Sequence, residues 1–371
     1  MKFYNKPIIA AAAVAVVMSA ASCSGAKKTA ETPAEPETAP AQELIARLDS
    51  TVQSGKFFFG HHDDTAYGHT WEYVDSGSDV RAVTGEYPGL MSWDLGMIEL
   101  DSAKNLDGVP FEFIAAEIAK QNARGGINAI SWHPLNPATG GNSWDVSAEP
   151  IRNLASNKAM QDSLTAWISN AADFIGSLKD ADGNLIPVIF RPWHENSGSW
   201  FWWGKDHASA QDYIGLWHLT RKVFDEKGIN NVVWAYSPDK DLTPGEYFST
   251  YPGDDYVDIL GTDIYHFGGE QGVEEYTQRI RKQLPFVCEE AAKRGKIAAF
   301  TETGLESLEI ADWYTRVLMP AIQDLPIAYV CVWRNAVESQ NPRHFYAPYP
   351  GHPAEKDFKA FHDNPKTIFV K

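Results

Sequence analysis

Two glutamates each close a short apolar run of the sequence, and together they could cleave a glycosidic bond. Glu195 lies in "RPWHENSGSWFWWG" (191–204) and Glu302 in "IAAFTETG" (297–304). Glycoside cleavage with retention uses two carboxyl groups about 5–5.5 Å apart, one as nucleophile and one as acid and then base. The acid needs apolar cover and a negative neighbour, whereas the nucleophile needs a cation or hydrogen-bond donors. The alternative is that each glutamate is only a structural ion-pair partner.

The stretch around Glu195 also carries four tryptophans, Trp193, Trp200, Trp202 and Trp203. Indole rings stack on the apolar faces of sugars, while polar side chains bond the hydroxyl rim. Trp193 and Trp200 would cover Glu195, and Trp200 would also stack on sugar. For Trp202 and Trp203, core packing is an equal alternative. Partners expected to keep Glu302 charged are Arg191, His194, Tyr265 and Arg334.

Eight apolar runs could position these residues, and most lack polar alternation, as strands buried on both faces do. They span 56–64, 89–96, 127–134, 185–196, 231–239, 257–266, 297–304 and 327–335. Amphipathic stretches at 110–126, 157–180, 209–228 and 273–295 predict helices between them, with Gly228 and Gly295 as C-terminal caps. Eight such units predict a single α/β domain folded as a (β/α)8 TIM barrel. An open doubly wound sheet is the alternative.

The runs end in reactive or ligand-binding side chains, and a TIM barrel places its active site at the carboxyl ends of its strands. Strands four and seven, which carry Glu195 and Glu302, would face each other across the mouth. The residues at the run ends are His61, His62, Asp63, Trp93, His133, His194, Glu195, Asp263, Tyr265, Glu302, Trp333 and Arg334.

A metal site is the competing interpretation of "HHDD" (61–64). His61 and His62 are adjacent, and neighbours on a strand point to opposite faces. His133 and His194 each stand alone at a run end. We therefore expect no metal and no other cofactor.

Composition limits the partners, because the formal net charge is −17. Such a protein repels nucleic acids and acidic polymers, so a neutral ligand is expected. We also expect a monomer. Cys331 fits a buried free thiol, and the sequence leaves open whether it pairs with Cys288.

The N-terminus predicts export. Residues 1–22 have a basic start, an apolar run and small residues, as secretory signals do, and a transmembrane helix is the alternative. Cys23 directly after "SAAS" resembles the acylated cysteine of a bacterial lipoprotein. Residues 23–40 are rich in Pro, Ala, Thr and Glu and predict a disordered tether, with the catalytic domain at 41–371. Lysines soon after Cys23, without an acidic run, favour a periplasmic, membrane-anchored protein over the cell surface.

The motifs "GHHDD", "WHP", "RPWHE", "TDIY", "TETG" and "VWRN", with Trp200 five residues after Glu195, resemble glycoside hydrolase family 26. This is the β-mannanase family of a (β/α)8 glycosidase clan, and the resemblance covers about residues 44–365. It implies that Glu195 is the acid/base and Glu302 the nucleophile. His194 would bond the sugar 2-hydroxyl or orient the nucleophile, Tyr265 would bond the nucleophile, and Asp263 would contact sugar hydroxyls. The residues implied to line the subsites are His133, Trp200, Trp333 and Arg334.

The resemblance implies retaining cleavage of β-1,4-mannosidic bonds in mannan, galactomannan or glucomannan, as by a mannan endo-1,4-β-mannosidase. An exo-acting enzyme that releases mannobiose and a glycan-binding lipoprotein without catalysis are the alternatives. The sequence leaves open endo or exo action and the tolerance of galactose branches.

Overall fold

Eight parallel strands close into a barrel in the computed structural model, which describes residues 39–239 and 241–371. Each strand pairs with the next, and the last pairs with the first through partners such as Gly60 and Cys331. The predicted (β/α)8 barrel is confirmed, and the open doubly wound alternative is wrong. The strands are β1 (Phe57–His62), β2 (Leu90–Asp94), β3 (Ile127–Ser131), β4 (Val188–Arg191), β5 (Val232–Tyr236), β6 (Ile259–His266), β7 (Ile297–Leu305) and β8 (Ile327–Val332).

Helices connect the strands and cover the barrel. Each of the four predicted amphipathic stretches contains one, and Gly295 caps the helix Val273–Arg294 with a left-handed φ of 64°. Gly228, one residue beyond the C-cap of the helix Ala210–Glu226, has a φ of 70°. The helices are α1 (Pro40–Gln53), α2 (Asp79–Thr84), α3 (Phe111–Ala123), α4 (Lys158–Ser177), α5 (Ala210–Glu226), α6 (Pro244–Ser249), α7 (Val273–Arg294), α8 (Met319–Ile322) and α9 (Glu355–His362).

Four short strands lie outside the barrel. Tyr67–Gly68 and Trp71–Glu72 form a hairpin, and Thr367–Val370 pairs with both β1 and Tyr87–Pro88. Within the described residues, we find no helix that is both long and apolar enough to cross a membrane. The predicted signal peptide and all but the last two residues of the predicted tether lie outside the described residues. The last tether residue, Pro40, begins α1.

The apolar core has two parts, one inside the barrel and one between the strands and the helices. Alternate strand residues enter each part, as in Ile189, which faces the interior, and Phe190, which faces the helices. Ala41, Leu44 and Leu48 of α1 pack with the interior residues. Because Arg47 of α1 also donates to Gly126 O just before β3, α1 closes the amino-terminal end of the barrel.

Both described cysteines are free and buried. Cys331 faces the barrel interior and Cys288 lies among the outer core residues. Burial raises the pKa of the Cys288 thiol to about 12. The structure therefore agrees with the prediction of a buried free thiol at Cys331 and shows no bond between the two.

Candidate active site

A cleft opens at the carboxyl ends of the barrel strands and contains both glutamates. Of the predicted site residues, the cleft brings together Glu195, Glu302, His133, His194, Trp200, Tyr265 and Trp333. Asp263 and Arg334 do not line it. The remaining lining residues are Trp144, Phe201, Asp239, Phe267, His344 and Tyr346.

Glu302 faces the cleft because β7 has an irregularity just before it. The register with β6 shifts between Phe300 and Glu302. Strict alternation would turn Glu302 away from the interior, whereas a bulge re-aims the side chain. Thr301 is accommodated here because position 261 is glycine: a Cβ there would lie 2.7 Å from Thr301 Oγ1.

Glu302 is held by two donors, both among the partners expected from the sequence. Arg191 Nη2 donates to its Oε2, and Tyr265 Oη donates to its Oε1 at 2.5 Å. Burial, followed by the charge of Glu302, raises the pKa of Tyr265 well above its usual range, so this hydroxyl keeps its proton. Arg191 is itself only 5% exposed. A buried cation and a neutral donor together favour an ionised carboxylate at Glu302.

Glu195 has a different environment, although it lies in the same cleft. Its Oε2 accepts a hydrogen bond from Trp200 Nε1 at 2.8 Å. Burial is the main cause that raises its pKa well above the usual range, followed by the negative charges of Glu302, Asp263 and Asp239. This carboxyl therefore holds a proton at pH values where an ordinary glutamate is ionised. Two carboxyl groups with opposite protonation are what an acid and a nucleophile require.

His194 and His133 form a hydrogen-bonded pair beside Glu195. Their Nε2 atoms lie 3.1 Å apart, and His133 Nδ1 lies 2.7 Å from Asp94 Oδ2. Burial lowers the pKa of His194 well below its usual range. The described donors to Glu302 are Arg191 and Tyr265, whereas the described hydrogen bond of the His194 ring joins it to His133, so both roles implied for His194 stay predictions.

Asp263 lies behind the cleft wall rather than in it. It is fully buried, and its two oxygens accept from Arg191 Nη1 and Thr301 Oγ1, both at 2.6 Å. The expectation that Asp263 contacts sugar hydroxyls does not fit this position. Its contact instead orients the guanidinium that reaches Glu302.

Of the four tryptophans in residues 191–204, one lies at the cleft and three lie in the core. Trp200 is 37% exposed at the cleft, whereas Trp193, Trp202 and Trp203 are completely buried. Trp203 Nε1 donates to His194 O at 2.8 Å, and Tyr213 Oη donates to Trp193 O at 2.7 Å. The buried rings thus support the backbone that carries Glu195.

Trp333 and Arg334, both predicted to line subsites, face different partners. Trp333 lines the cleft and stacks on His62 with ring centroids 4.1 Å apart. Arg334 pairs with Asp107 at 2.9 Å and donates to Tyr67 Oη at 3.1 Å. Its guanidinium therefore lies beside the cleft and not in its lining.

His62, Asp63 and Asp107 bring three possible metal-ligand atoms within 4.8 Å of one another. Arg334 already pairs with Asp107, and Tyr67 donates to Asp63 at 2.5 Å. The guanidinium supplies a positive charge beside Asp107, whereas burial and the charge of Asp107 raise the pKa of Asp63 to about 8. His61 bonds Asp64 at 2.7 Å, so the two adjacent histidines have different partners.

Sequence patterns do not single out several site residues, notably Asp94, Asp239 and Phe267. In the second run, the sequence draws attention to Trp93, which in the structure faces the helices. Because strand residues alternate, Asp94 next to it faces the barrel interior. Asp239 continues the interior face of β5 beyond its last residue. Phe267, 64% exposed, lies on a loop that strand patterns do not describe, whereas Trp144, 49% exposed, lies on the aromatic loop 140–146, which the sequence predicts as a possible cleft wall.

Comparison with known proteins places this barrel and cleft in a family. The family model for "Glycosyl hydrolase family 26" matches residues 34–305. A mannan endo-1,4-beta-mannosidase of Bifidobacterium adolescentis is 32% identical over 88% of the chain, but the chain spans only 34% of that relative's length. A mannan endo-1,4-beta-mannosidase of Bacillus subtilis is 30% identical, covering 69% of this chain and 70% of the relative.

Solved structures similar to this chain include proteins that, like the sequence relatives, are named for mannanase activity. A GH26 beta-mannanase from Bacteroides ovatus has a TM-score of 0.86 at 45% identity, over 90% of this chain and 96% of its own. A Cellulomonas fimi endo-beta-1,4-mannanase double mutant has a TM-score of 0.80 at 32% identity, over 90% and 76%. With the family model matched over most of the chain, this protein belongs to glycosyl hydrolase family 26.

Proposed function

We propose that this protein is a retaining endo-β-mannanase that hydrolyses β-1,4-mannosidic bonds, with Glu302 as nucleophile and Glu195 as acid and base. The observation that carries the proposal is the contrast between the two carboxyl groups. Glu302 is paired with Arg191 and Tyr265, whereas Glu195 is bonded by Trp200 and has a raised pKa.

In the first step, a Glu302 oxygen attacks the anomeric carbon while Glu195 gives its proton to the departing glycosidic oxygen. The products are a covalent glycosyl-enzyme and an ionised Glu195. Esterified Glu302 no longer carries the negative charge that raises the pKa of Glu195. The pKa of Glu195 therefore falls when it must act as a base.

In the second step, Glu195 takes a proton from water, and the water oxygen attacks the same anomeric carbon. Glu302 leaves as a carboxylate, which Arg191 and Tyr265 are placed to receive. Two displacements at one carbon restore the original configuration.

The choice of mannan is supported by the relatives, since those described above are named for mannan or mannanase activity. The cleft itself favours a neutral sugar chain. Trp144, Trp200 and Phe267 present exposed rings, and the net charge of −17 disfavours acidic polymers. Further polar or aromatic groups near the two glutamates come from His133, His194, Trp333 and Tyr265.

Stereochemistry and product sizes test the proposal. We expect proton NMR of a fresh digest of mannohexaose to show the β-anomer first, and an initial α-product would contradict retention. We expect linear mannan to release a spread of oligosaccharides from the first time point. Mannobiose alone at that point would indicate exo action instead, and no cleavage would favour a glycan-binding protein.

We also propose that the protein is exported and anchored to the membrane through a lipid on Cys23, with its barrel in the periplasm as a monomer. The support is the sequence order of basic start, apolar run, "SAAS" and cysteine. Metabolic labelling with a radioactive fatty acid tests this, with Cys23→Ser as the unlabelled control. Labelled wild type in surface-accessible form would contradict the periplasmic placement.

A further inference from the structure

We infer that Asp94 is a positioning residue for the candidate acid Glu195 and acts through the rings of His133 and His194. The inference rests on the proposed function in one respect, because it needs Glu195 to be the proton donor. Asp94 lies at the end of β2, and Glu195 lies beyond the end of β4, so the chain of contacts crosses β3.

Asp94 is 1% exposed, and four donors converge on it. Oδ1 accepts from the backbone N–H of Gly96 at 2.7 Å and of His133 at 3.2 Å. Oδ2 accepts from Ser131 Oγ and His133 Nδ1, each at 2.7 Å. An ionised carboxylate only accepts hydrogen bonds, so Nδ1 of His133 must carry a proton.

The same proton assignment continues to His194. A single proton fits between the two Nε2 atoms, which lie 3.1 Å apart. In the neutral tautomer of His133 that is protonated on Nδ1, Nε2 has a free lone pair and accepts, so the donor in this arrangement is His194. Phe201 packs against both rings with centroid distances of 5.3 Å. The Asp94 carboxylate thereby fixes the tautomer and orientation of His133, which it bonds directly. Through His133 it also fixes those of His194.

The backbone around His194 needs this support because it is strained. Trp193 and Glu195, on either side, have left-handed φ values of 55° and 53°. A non-glycine residue in this region of backbone conformation is strained and persists only where its surroundings hold it. Trp203, Tyr213 and Ser237 O fix the backbone atoms of this segment. The Asp94–His133 pair supplies the hydrogen bond that orients the His194 ring between its aromatic neighbours.

A substitution at Asp94 tests the inference through the reaction step that needs an acid. In Asp94→Asn, an amide N–H can face His133 Nδ1, which favours the His133 tautomer with its proton on Nε2. The N–H groups of His133 and His194 would then point at each other. We expect kcat/KM for mannotetraose to fall about 10- to 100-fold, as misplaced catalytic groups do. For 2,4-dinitrophenyl β-mannobioside, whose leaving group needs no proton, we expect less than about a threefold loss.

Equal losses on the two substrates would mean a purely structural role and would overturn the inference. Ser131→Ala is the matched control, since it removes another donor to Asp94 Oδ2 but leaves the His133 contact. We expect it to keep wild-type selectivity between the two substrates. Glu195→Ala is the reference and should lose mannotetraose activity selectively. If it does not, the proposed function fails; if only Asp94→Asn does not, the inference alone fails.

Nitrogen NMR of the histidine rings gives a second readout on the wild-type enzyme, independent of how well the variant folds. We expect His133 to carry its proton on Nδ1, with a switch in Asp94→Asn. A wild-type His133 with an unprotonated Nδ1 would overturn the inference.

Discussion

Arg191 at the end of β4 donates through Nη2 to Oε2 of Glu302 on β7, so one buried cation spans the barrel mouth. Its other terminal nitrogen donates to Asp263 at 2.6 Å and to Ser237 Oγ at 3.2 Å. A guanidinium has a fixed, planar set of donors and does not lose its proton in proteins. The proposed nucleophile, Glu302, is thus held by a residue four positions before the proposed acid, Glu195, in the sequence.

Removing this cation should affect both activity and stability. In Arg191→Met, Glu302 and Asp263 lose their common partner, and we expect kcat to fall about 10²- to 10³-fold. Breaking a buried ion pair should lower the free energy of unfolding by about 3–5 kcal/mol in urea titration. Arg152→Met, which breaks the exposed pair with Glu149, is the control and should change neither quantity measurably. An unaltered kcat in Arg191→Met would contradict the role given to the ion pair.

Glu302→Ala should abolish turnover while the barrel survives. We expect kcat/KM to fall by about 10⁴-fold or more on any mannoside, activated or not, because the covalent intermediate cannot form. Circular dichroism should show an unchanged fold. Glu309→Ala, which alters an exposed pair with Arg343 on the following loop, should keep wild-type rates. Near-normal turnover by Glu302→Ala would remove this residue from the nucleophile role.

Trp200→Phe should move the pH profile in a defined direction. The Trp200 hydrogen bond stabilises ionised Glu195 and lowers its pKa, against burial and the neighbouring charges, which raise it. Without this bond the acid keeps its proton to higher pH. We expect the basic limb of kcat/KM to shift upward by about half a unit to one unit. If the basic limb stayed unchanged or moved to lower pH, the Trp200 hydrogen bond would not be lowering the pKa of Glu195.

Glu195→Gln should make the enzyme inactive but more stable. A carboxyl whose pKa is higher in the folded than in the unfolded chain destabilises the fold as pH rises above the unfolded value, about 4.3. The amide in this variant cannot ionise, so we expect about 1–2 kcal/mol of added stability at pH 7. Near pH 3, where the carboxyl of the wild type is protonated in both states, the gain should vanish. Calorimetry at the two pH values measures this, and Glu226→Gln, at a side chain 64% exposed at the end of α5, is the control.

Phe267→Ala should weaken the binding of long substrates. The ring is 64% exposed at the cleft, and the loop that carries it is tightly built: a Cβ at Gly272 would lie 1.7 Å from Phe267 O. His266 bonds Gly269 O and accepts from Trp313, which fixes the same loop. We expect KM for mannohexaose to rise about three- to tenfold with little change in kcat. Leu100→Ala removes an apolar side chain that is 51% exposed outside the cleft lining and should leave KM unaltered.

Much of this protein could be predicted from the sequence. Strands buried on both faces leave long apolar runs, so the eight strands and the barrel class could be predicted from those runs alone. Glu195, Glu302, Arg191 and Tyr265 stand at the ends of those runs, and parallel strands bring such ends together. The family motifs lie on the same residues.

Tertiary structure decided which polar residues face the cleft and which face each other. Trp93 and Asp94 are neighbours in the sequence, yet one packs under the helices and the other anchors His133. Asp263 matched a motif but is buried behind Arg191, and the register shift before Glu302 turns that side chain into the cleft. A run of apolar residues shows where a strand lies in the sequence. Bulges, residues with left-handed backbone conformation and partners from distant strands determine where the side chains of that strand point.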